Sequence, residues 1–424
     1  MSRKRIQNIK KQLKLEARPA ALLLSSAKEV LRSRDTFYPY RQQSDFYYLT
    51  GIKEPGVALL ITAKNKPQLF VQRRDSRTVL WEGPPPNLQP TAKKLGAELV
   101  VSDNLNSDIL KALRKINHLY YQNDTGTVAQ KIAEKLFALP SSKRSDYPIH
   151  FSHSDVLLEP LRVIKDSGEI KIIQKAINIT SVGLEHISAL IKPGVNESDI
   201  KTRLENAFRE SGAEVAFPSI VAAGRSAATL HYSAHMRRLQ RSELLLVDCG
   251  AEYELYSADI TRVFPVAGVF KNELLLRLYD IVLEAQYAAI EAVRPGVTTG
   301  KLYNAAARVL TRGLCKLGVI RGPWQKAFKK GAYRLYFPHG IGHSLGIDTH
   351  DLSNLRNNNK ALLKEGMVIT IEPGLYFAKK TGQIPACGIR IEDDILVTRD
   401  GAKILSRAIP KERTQIEEFI KNAG

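Results

Sequence analysis

The chain has 424 residues, 44% of them hydrophobic and 25% charged, which is enough for more than one domain and too apolar for a disordered chain. Three widely spaced cysteines, Cys249, Cys315 and Cys387, argue against a disulfide framework and fit a reducing compartment. The net charge is +20, but the cations are dispersed, with no RNA-binding aromatic motif and no basic heptad helix. A solvated basic surface is therefore the expected reading, and a nucleic-acid partner is not.

The opening MSRKRIQNIKKQLK is basic and lacks the apolar core of a secretory signal. No stretch approaches the ~20 apolar residues of a membrane span, so the expected location is the cytoplasm. Ile6 to Leu31 has helical periodicity, broken near Arg18 and Pro19. Val57–Ala63, Gln68–Arg73, Glu98–Ser102 and Leu119–Gln122 read as strands of a mixed sheet, and Pro84, Pro85 and Pro86 mark a loop. From Ala138 to His153 the chain turns polar and reads as a linker. These features predict an N-terminal domain over residues 1–160 and a second over 161–424. Near the start of the second, Asp166 and Glu169 resemble a capping box that opens a helix running towards Leu190.

The second domain contains an internal repeat. Ile191-Lys-Pro-Gly-Val195 and Val293-Arg-Pro-Gly-Val297 each precede a helical run. LLLVDCG, with Asp248, matches VITIEPG, with Glu372: an apolar strand, a carboxylate, one residue, then glycine. SADITRVFPV, with Asp259, aligns with IRIEDDILV, with Glu392. Each half also has a histidine turn, His231 to His235 and His339 to His343. Two related αβ units facing each other would bring equivalent strand ends to one centre. Taken singly, an Asp after a strand or a His beside glycine is an ordinary turn residue. Together, Asp248, Asp259, His343, Glu372 and Glu392 are four carboxylates and an imidazole, a ligand set for a pair of divalent cations. Strand alternation puts Arg390 and Glu392 on one buried face, which is costly unless a cation compensates.

The runs LLLVDCGAEYELYSADITRVFPV, FPHGIGHSLGIDTHD, VITIEPGLYF and CGIRIEDDILVT resemble the metallopeptidase family of aminopeptidase P, prolidase and methionine aminopeptidase. YPYRQQSDFYYLTG, from Tyr38 to Gly51, is similar to the N-terminal domain of aminopeptidase P. The resemblance implies an α/β (α+β) chain: a mixed-sheet, creatinase-like N-terminal domain that gates substrate and serves oligomerisation, then a pseudo-symmetric pita-bread catalytic domain. It implies two divalent ions per subunit, Mn²⁺ first among them. Asp248 would hold one ion and His343 and Glu372 the other, with Asp259 and Glu392 bridging. His231, His350, Glu372 and Arg390 match catalytic positions, and His339 and Tyr376 substrate-side ones. Asp35 and Trp81 match N-terminal positions that reach an active site, that of a neighbouring subunit included.

The implied reaction is removal of any N-terminal residue that precedes proline, by a hydroxide shared between the metals, with Glu372 passing a proton to the proline nitrogen. Prolidase, which cleaves Xaa-Pro dipeptides, is the alternative. A metal-free pita-bread protein that binds nucleic acid is a third reading. The resemblance also implies a homodimer or homotetramer acting on peptides with proline in second position, without a membrane partner.

Overall fold

The computed structural model describes residues 2–352, 355 and 360–422. The chain divides into two compact units, Met1–Leu161 and Arg162–Gly424. The first unit opens with α1 (Ser2–Lys14), which buries Ile6, Ile9 and Leu13 on one stripe. After Pro19 the chain becomes a strand, β1 (Ala20–Ser25), with all six residues buried. Sequence periodicity predicts a helix here. A continuous apolar run of this length serves equally as a central strand, and tertiary pairing decides between them. β1 lies between an antiparallel and a parallel neighbour, and helices cover both of its faces.

The unit continues with β2 (Leu31–Ser33), β3 (Thr36–Phe37), α2 (Ser44–Thr50), β4 (Val57–Thr62), β5 (Gln68–Gln72), α3 (Ser76–Glu82), α4 (Gln89–Leu95), β6 (Glu98–Ser102), α5 (Leu105–Ala112), β7 (His118–Tyr121) and α6 (Val128–Phe137). The four sequence-predicted strands fall on β4, β5, β6 and β7. The expected linker instead ends in β8 (His150–His153), which pairs in parallel with β7 at the edge of the sheet in the order β6-β5-β4-β1-β7-β8. Its sequence, HFSH, is half-buried and polar, as an edge strand allows. The helix α7 (Asp155–Arg162) follows.

The second unit begins at α8 (Ser167–Ser188), whose N-cap Asp166 forms a capping box with Glu169. Next come α9 (Glu197–Glu210), β9 (Glu214–Val215), β10 (Ile220–Ala223), β11 (Leu244–Cys249), β12 (Ala251–Tyr253), β13 (Tyr256–Ser257) and β14 (Ile260–Pro265). The second half has α10 (Glu273–Glu291), α11 (Thr299–Lys316), α12 (Trp324–Lys329), β15 (Val368–Ile371), β16 (Gly374–Phe377), β17 (Cys387–Arg390), β18 (Asp393–Thr398), β19 (Gly401–Ile404) and α13 (Arg413–Lys421).

The repeat is exact enough to share hydrogen bonds. Gly194 N donates to Leu239 O at 2.9 Å, and Gly296 N to Leu363 O at 2.9 Å. Leu239 N donates to Val195 O, and Leu363 N to Val297 O, both at 2.8 Å. Both glycines sit in the left-handed region, φ +90° and +81°, where a side chain would be strained. In each half a helix pair packs together, α8 with α9 and α10 with α11. In each half an antiparallel strand pair, β11 with β14 or β15 with β18, is interrupted by a hairpin, β12–β13 or β16–β17.

Arg262 ties the halves together with no exposed surface. Its guanidinium donates to Thr261 O at 3.0 Å, Glu392 O at 2.6 Å and Asp393 Oδ1 at 2.7 Å. Lys411 Nζ reaches the other Asp393 oxygen at 2.6 Å, and the two cations, outweighing burial, hold that carboxyl down at about 2.

Gly250 sits between β11 and β12, where an added Cβ would fall 1.8 Å from Ala258 O. Gly250→Ala is expected to lower unfolding stability by about 3 kcal/mol, the upper end of overpacking costs. Urea unfolding measures this, with Gly340→Ala as the comparison, since a Cβ there meets open space and should leave the midpoint in place.

Candidate metal centre

The repeat delivers its carboxylates to equivalent places. Asp259 immediately precedes β14, and Glu392 immediately precedes β18. Asp248 is the fifth residue of β11, and Glu372 follows the last residue of β15. Glu392 N donates to Thr261 O at 3.1 Å, which stitches the two strand starts together. His343 comes from the glycine-rich turn of the second half, where its N–H bonds Thr370 Oγ1 at 3.1 Å.

Asp259, His343 and Glu392 present ligand atoms within 4.8 Å of one another, all three residues buried. His343 Nε2 is 3.3 Å from Asp259 Oδ2 and 3.7 Å from Glu372 Oε1. Its Nδ1 faces Ser344 O at 3.1 Å, an acceptor only, so Nδ1 carries the proton and Nε2 offers a lone pair. A lone pair facing carboxylate oxygens is an arrangement that a divalent cation between them would satisfy.

The electrostatics agree. Burial and the charge of Asp248 push the Asp259 carboxyl far above its ordinary range. Burial and Asp259 do the same to Glu392. Burial also raises Asp248, although Arg390 opposes it, and Asp248 Oδ1 is buried without a hydrogen-bond partner. Acceptors buried together at this density fit one or more divalent cations.

Around the carboxylates runs a hydrogen-bonded relay. Arg390 donates to Asp248 Oδ2, to Tyr376 OH at 2.9 Å and to Thr261 Oγ1 at 3.1 Å. Thr261 Oγ1 in turn donates to Glu392 Oε2 at 2.7 Å. His339 Nδ1 faces Gly340 O at 2.8 Å, so its Nε2 accepts from Tyr376 OH at 2.9 Å. Burial pushes this imidazole below its ordinary range, which keeps it neutral. The His350 ring packs on that of His343 with centroids 4.1 Å apart.

These residues line a cleft of 860 Å³ that also includes His231, His235, Phe217, Pro218, Ile220 and Leu230. Carboxylates, imidazoles and a guanidinium thus share the lining with apolar side chains. Of the sequence-predicted residues, Asp248, Asp259, His343, Glu372, Glu392, His231, His339, His350 and Arg390 all line the cleft, and Tyr376 hydrogen-bonds into it. Asp35 and Trp81 belong to the first unit, Asp35 in the β2–β3 turn and Trp81 in α3, and both are exposed. The matched histidine turns part company: His343 joins the carboxylates, whereas His235 turns to Val221 O and Lys201.

Sequence reading missed the supports. Thr261, two residues past Asp259 on an alternating strand, carried a legible signal. Asp351 carried little, since an Asp after a His reads as surface. It is instead buried, accepting from Arg162 and, at 2.9 Å, from Lys165 Nζ, while its N–H bonds Ser344 O at 2.9 Å. This closes the loop that bears His343 and His350.

Residues 171–399 match the model of metallopeptidase family M24, and residues 2–120 that of the aminopeptidase P N-terminal domain. The chain is 35% identical to the Xaa-Pro aminopeptidase of Haemophilus influenzae, covering 95% of this chain and 93% of that one. It is similar in structure to Escherichia coli aminopeptidase P with the inhibitor Pro-Leu, with TM-score 0.92 and 31% identity over 100% of this chain and 99% of that one. The zinc-substituted E. coli enzyme in complex with product gives the same TM-score, 0.92, at 31% identity and the same coverage, 100% and 99%.

Burial alone would raise the Asp351 carboxyl, but Lys165 and Arg162 outweigh it and hold the group below the usual range. A depressed carboxyl stabilises the fold above its unfolded pKa, near 4, and that stability fades as pH falls below it. Asp351→Asn is expected to cost roughly 3–5 kcal/mol at neutral pH, as for a broken buried pair. Urea unfolding as a function of pH should show the gap to wild type narrowing below about pH 4.

Proposed function

The chain belongs to metallopeptidase family M24, and on that premise we propose that it is an Xaa-Pro aminopeptidase, releasing the N-terminal residue of peptides whose second residue is proline. The observation that carries this is the buried group of Asp259, His343 and Glu392, flanked by Asp248 and Glu372 in one cleft. Relatives named Xaa-Pro aminopeptidase, matching over nearly their full length, support this reading over prolidase.

Divalent metal is intrinsic to the family, and the donors here suit two ions. Asp248, Asp259, His343, Glu372 and Glu392 would hold them. Carboxylates outnumber imidazole four to one, which favours Mn²⁺ over softer ions. When bound, the ions activate water near neutral pH and polarise the scissile carbonyl.

The remaining work falls to side chains. Arg390 fixes Asp248 and Tyr376, and so keeps the carboxylate from turning away from the cleft. His350 donates to the oxygen that gains charge in the transition state. His231 and His339, the latter neutral and oriented by Tyr376, contact the peptide on the cleft wall. Glu372 takes up a proton and delivers it to the proline nitrogen as the bond breaks. That nitrogen has no N–H in the peptide, so recognition relies on the shape of the ring and its fixed φ. Phe217, Pro218 and Ile220 offer an apolar surface for such a ring.

The first unit is read as the gating and oligomerisation domain. Val30, Leu31, Phe37, Tyr38, Leu80 and Trp81 are all exposed and supply apolar surface for a contact in a homodimer or homotetramer. Through such a contact Asp35 and Trp81 would reach a neighbouring active site. No helix among the described residues is long and apolar enough to cross a membrane. The three free thiols fit a cytoplasmic location.

After Mn²⁺ loading, the protein is expected to hydrolyse an Xaa-Pro-Xaa tripeptide. Activity confined to the Xaa-Pro dipeptide would make it a prolidase, and failure to bind metal would remove the peptidase reading altogether. Asp259→Asn should lose bound metal by titration calorimetry, and activity by more than about 100-fold, beyond the usual cost of losing a supporting residue.

A further inference from the structure

Glu197 is an acid in the first turn of α9, yet it has no exposed surface. Its carboxylate accepts three hydrogen bonds. Ala223 N reaches Oε1 at 2.8 Å, while Tyr232 OH at 2.9 Å and Arg237 N at 3.1 Å reach Oε2. The three donors mark the start, the middle and the end of one segment, from Ala223 to Arg237. Glu197 N also donates to Arg237 O at 2.9 Å, so the end of the segment is held in both directions.

One helical turn along α9, Lys201 Nζ donates to His235 Nε2 at 3.2 Å, and His235 Nδ1 donates to Val221 O at 3.2 Å. His235 adopts φ +48°, a left-handed conformation that a non-glycine residue keeps only where its surroundings enforce it. Tyr232 packs edge-on against the His235 ring, with centroids 5.4 Å apart. Glu197 and Lys201 thus form a polar ridge on which this segment is strung. The segment contributes Leu230, His231, Tyr232, Ser233 and His235 to the cleft wall. His231 itself is exposed, so its direction is set by these neighbours and not by its own packing.

We propose that Glu197 is a positioning residue for peptide binding: by clamping the Ala223–Arg237 segment at three points it aims His231 into the cleft. This rests on the aminopeptidase reading for its kinetic consequence, though not for the clamp itself. A buried carboxylate without its donors is expensive, and each donor without the carboxylate is left unpaired. Loss of the charge therefore loosens the part of the segment beyond the β10–β11 ladder, while the candidate metal ligands lie on other elements.

Glu197→Gln tests this, because an amide keeps only one accepting oxygen and turns its NH₂ towards at least one of the three donors. The expected result is a KM for an Xaa-Pro-Xaa peptide raised about tenfold, with kcat changed much less and Mn²⁺ stoichiometry unchanged by calorimetry. Glu197→Asp, which keeps the charge, should recover part of the loss. In a His231→Ala background, Glu197→Gln should add nothing, since the two act as one unit. A full additional loss in that background, or a KM within twofold of wild type, would overturn the proposal. Amide hydrogen exchange over residues 228–238 should quicken in Glu197→Gln, and unchanged exchange overturns the clamp even if the protein cleaves no Xaa-Pro peptide. Should Glu197→Gln not fold, Tyr232→Phe removes one of the three bonds and should move KM and exchange in the same direction by a smaller amount; no movement in either sinks the proposal.

Discussion

Mutual repulsion among buried carboxylates is the constraint on which the second unit depends. Asp248, Asp259 and Glu392 are each almost fully enclosed, and burial and neighbouring charge push all three towards protonation. A fold that gathers such groups has to supply opposite charge. Arg390 supplies part of it, its guanidinium reaching Asp248, and a divalent cation among the oxygens would supply the rest.

The architecture follows from that requirement. Two αβ halves with matched strand ends bring Asp259 and Glu392 together, since each immediately precedes the equivalent strand. Behind them, Arg262, Asp393 and Lys411 form a separate and self-satisfied charge cluster. Asp393 and Glu392 are adjacent in the chain but belong to opposite regimes. One is held ionised near the bottom of its range by two cations, and the other is pushed up among carboxylates. Alternation along the strand is what separates them.

The loops that carry the cleft histidines are pinned by buried charge of the same kind. Asp351 closes the loop bearing His343 and His350 through Arg162 and Lys165. Glu197 draws in the segment bearing His231 through two backbone N–H groups and a tyrosine hydroxyl. In both, a buried carboxylate outside the cleft lining fixes a loop segment at several points, and a peptide would then meet a wall that is already ordered.

The strands of the first unit were legible in the sequence wherever alternation or β-branched runs were bounded by turns, as at β4, β5 and β6. The run Ala20–Ser25 was not, because six apolar residues in a row satisfy a buried helix as well as a central strand, and only pairing on both sides selects the strand. β8 was hidden for the opposite reason: an edge strand needs little apolar surface, so HFSH reads as loop. In the second unit the sequence by itself determined which carboxylates and which histidine turns come together, their order and the repeat that makes them meet, because strand ends and glycine turns are local patterns. The tertiary structure alone decided which oxygen faces which nitrogen, that His343 joins the carboxylates while His235 does not, and that Glu197, Asp351 and Arg262 are buried supports. Burial is a property of the packed chain, and a charged residue carries no local mark of whether water or another charge will face it.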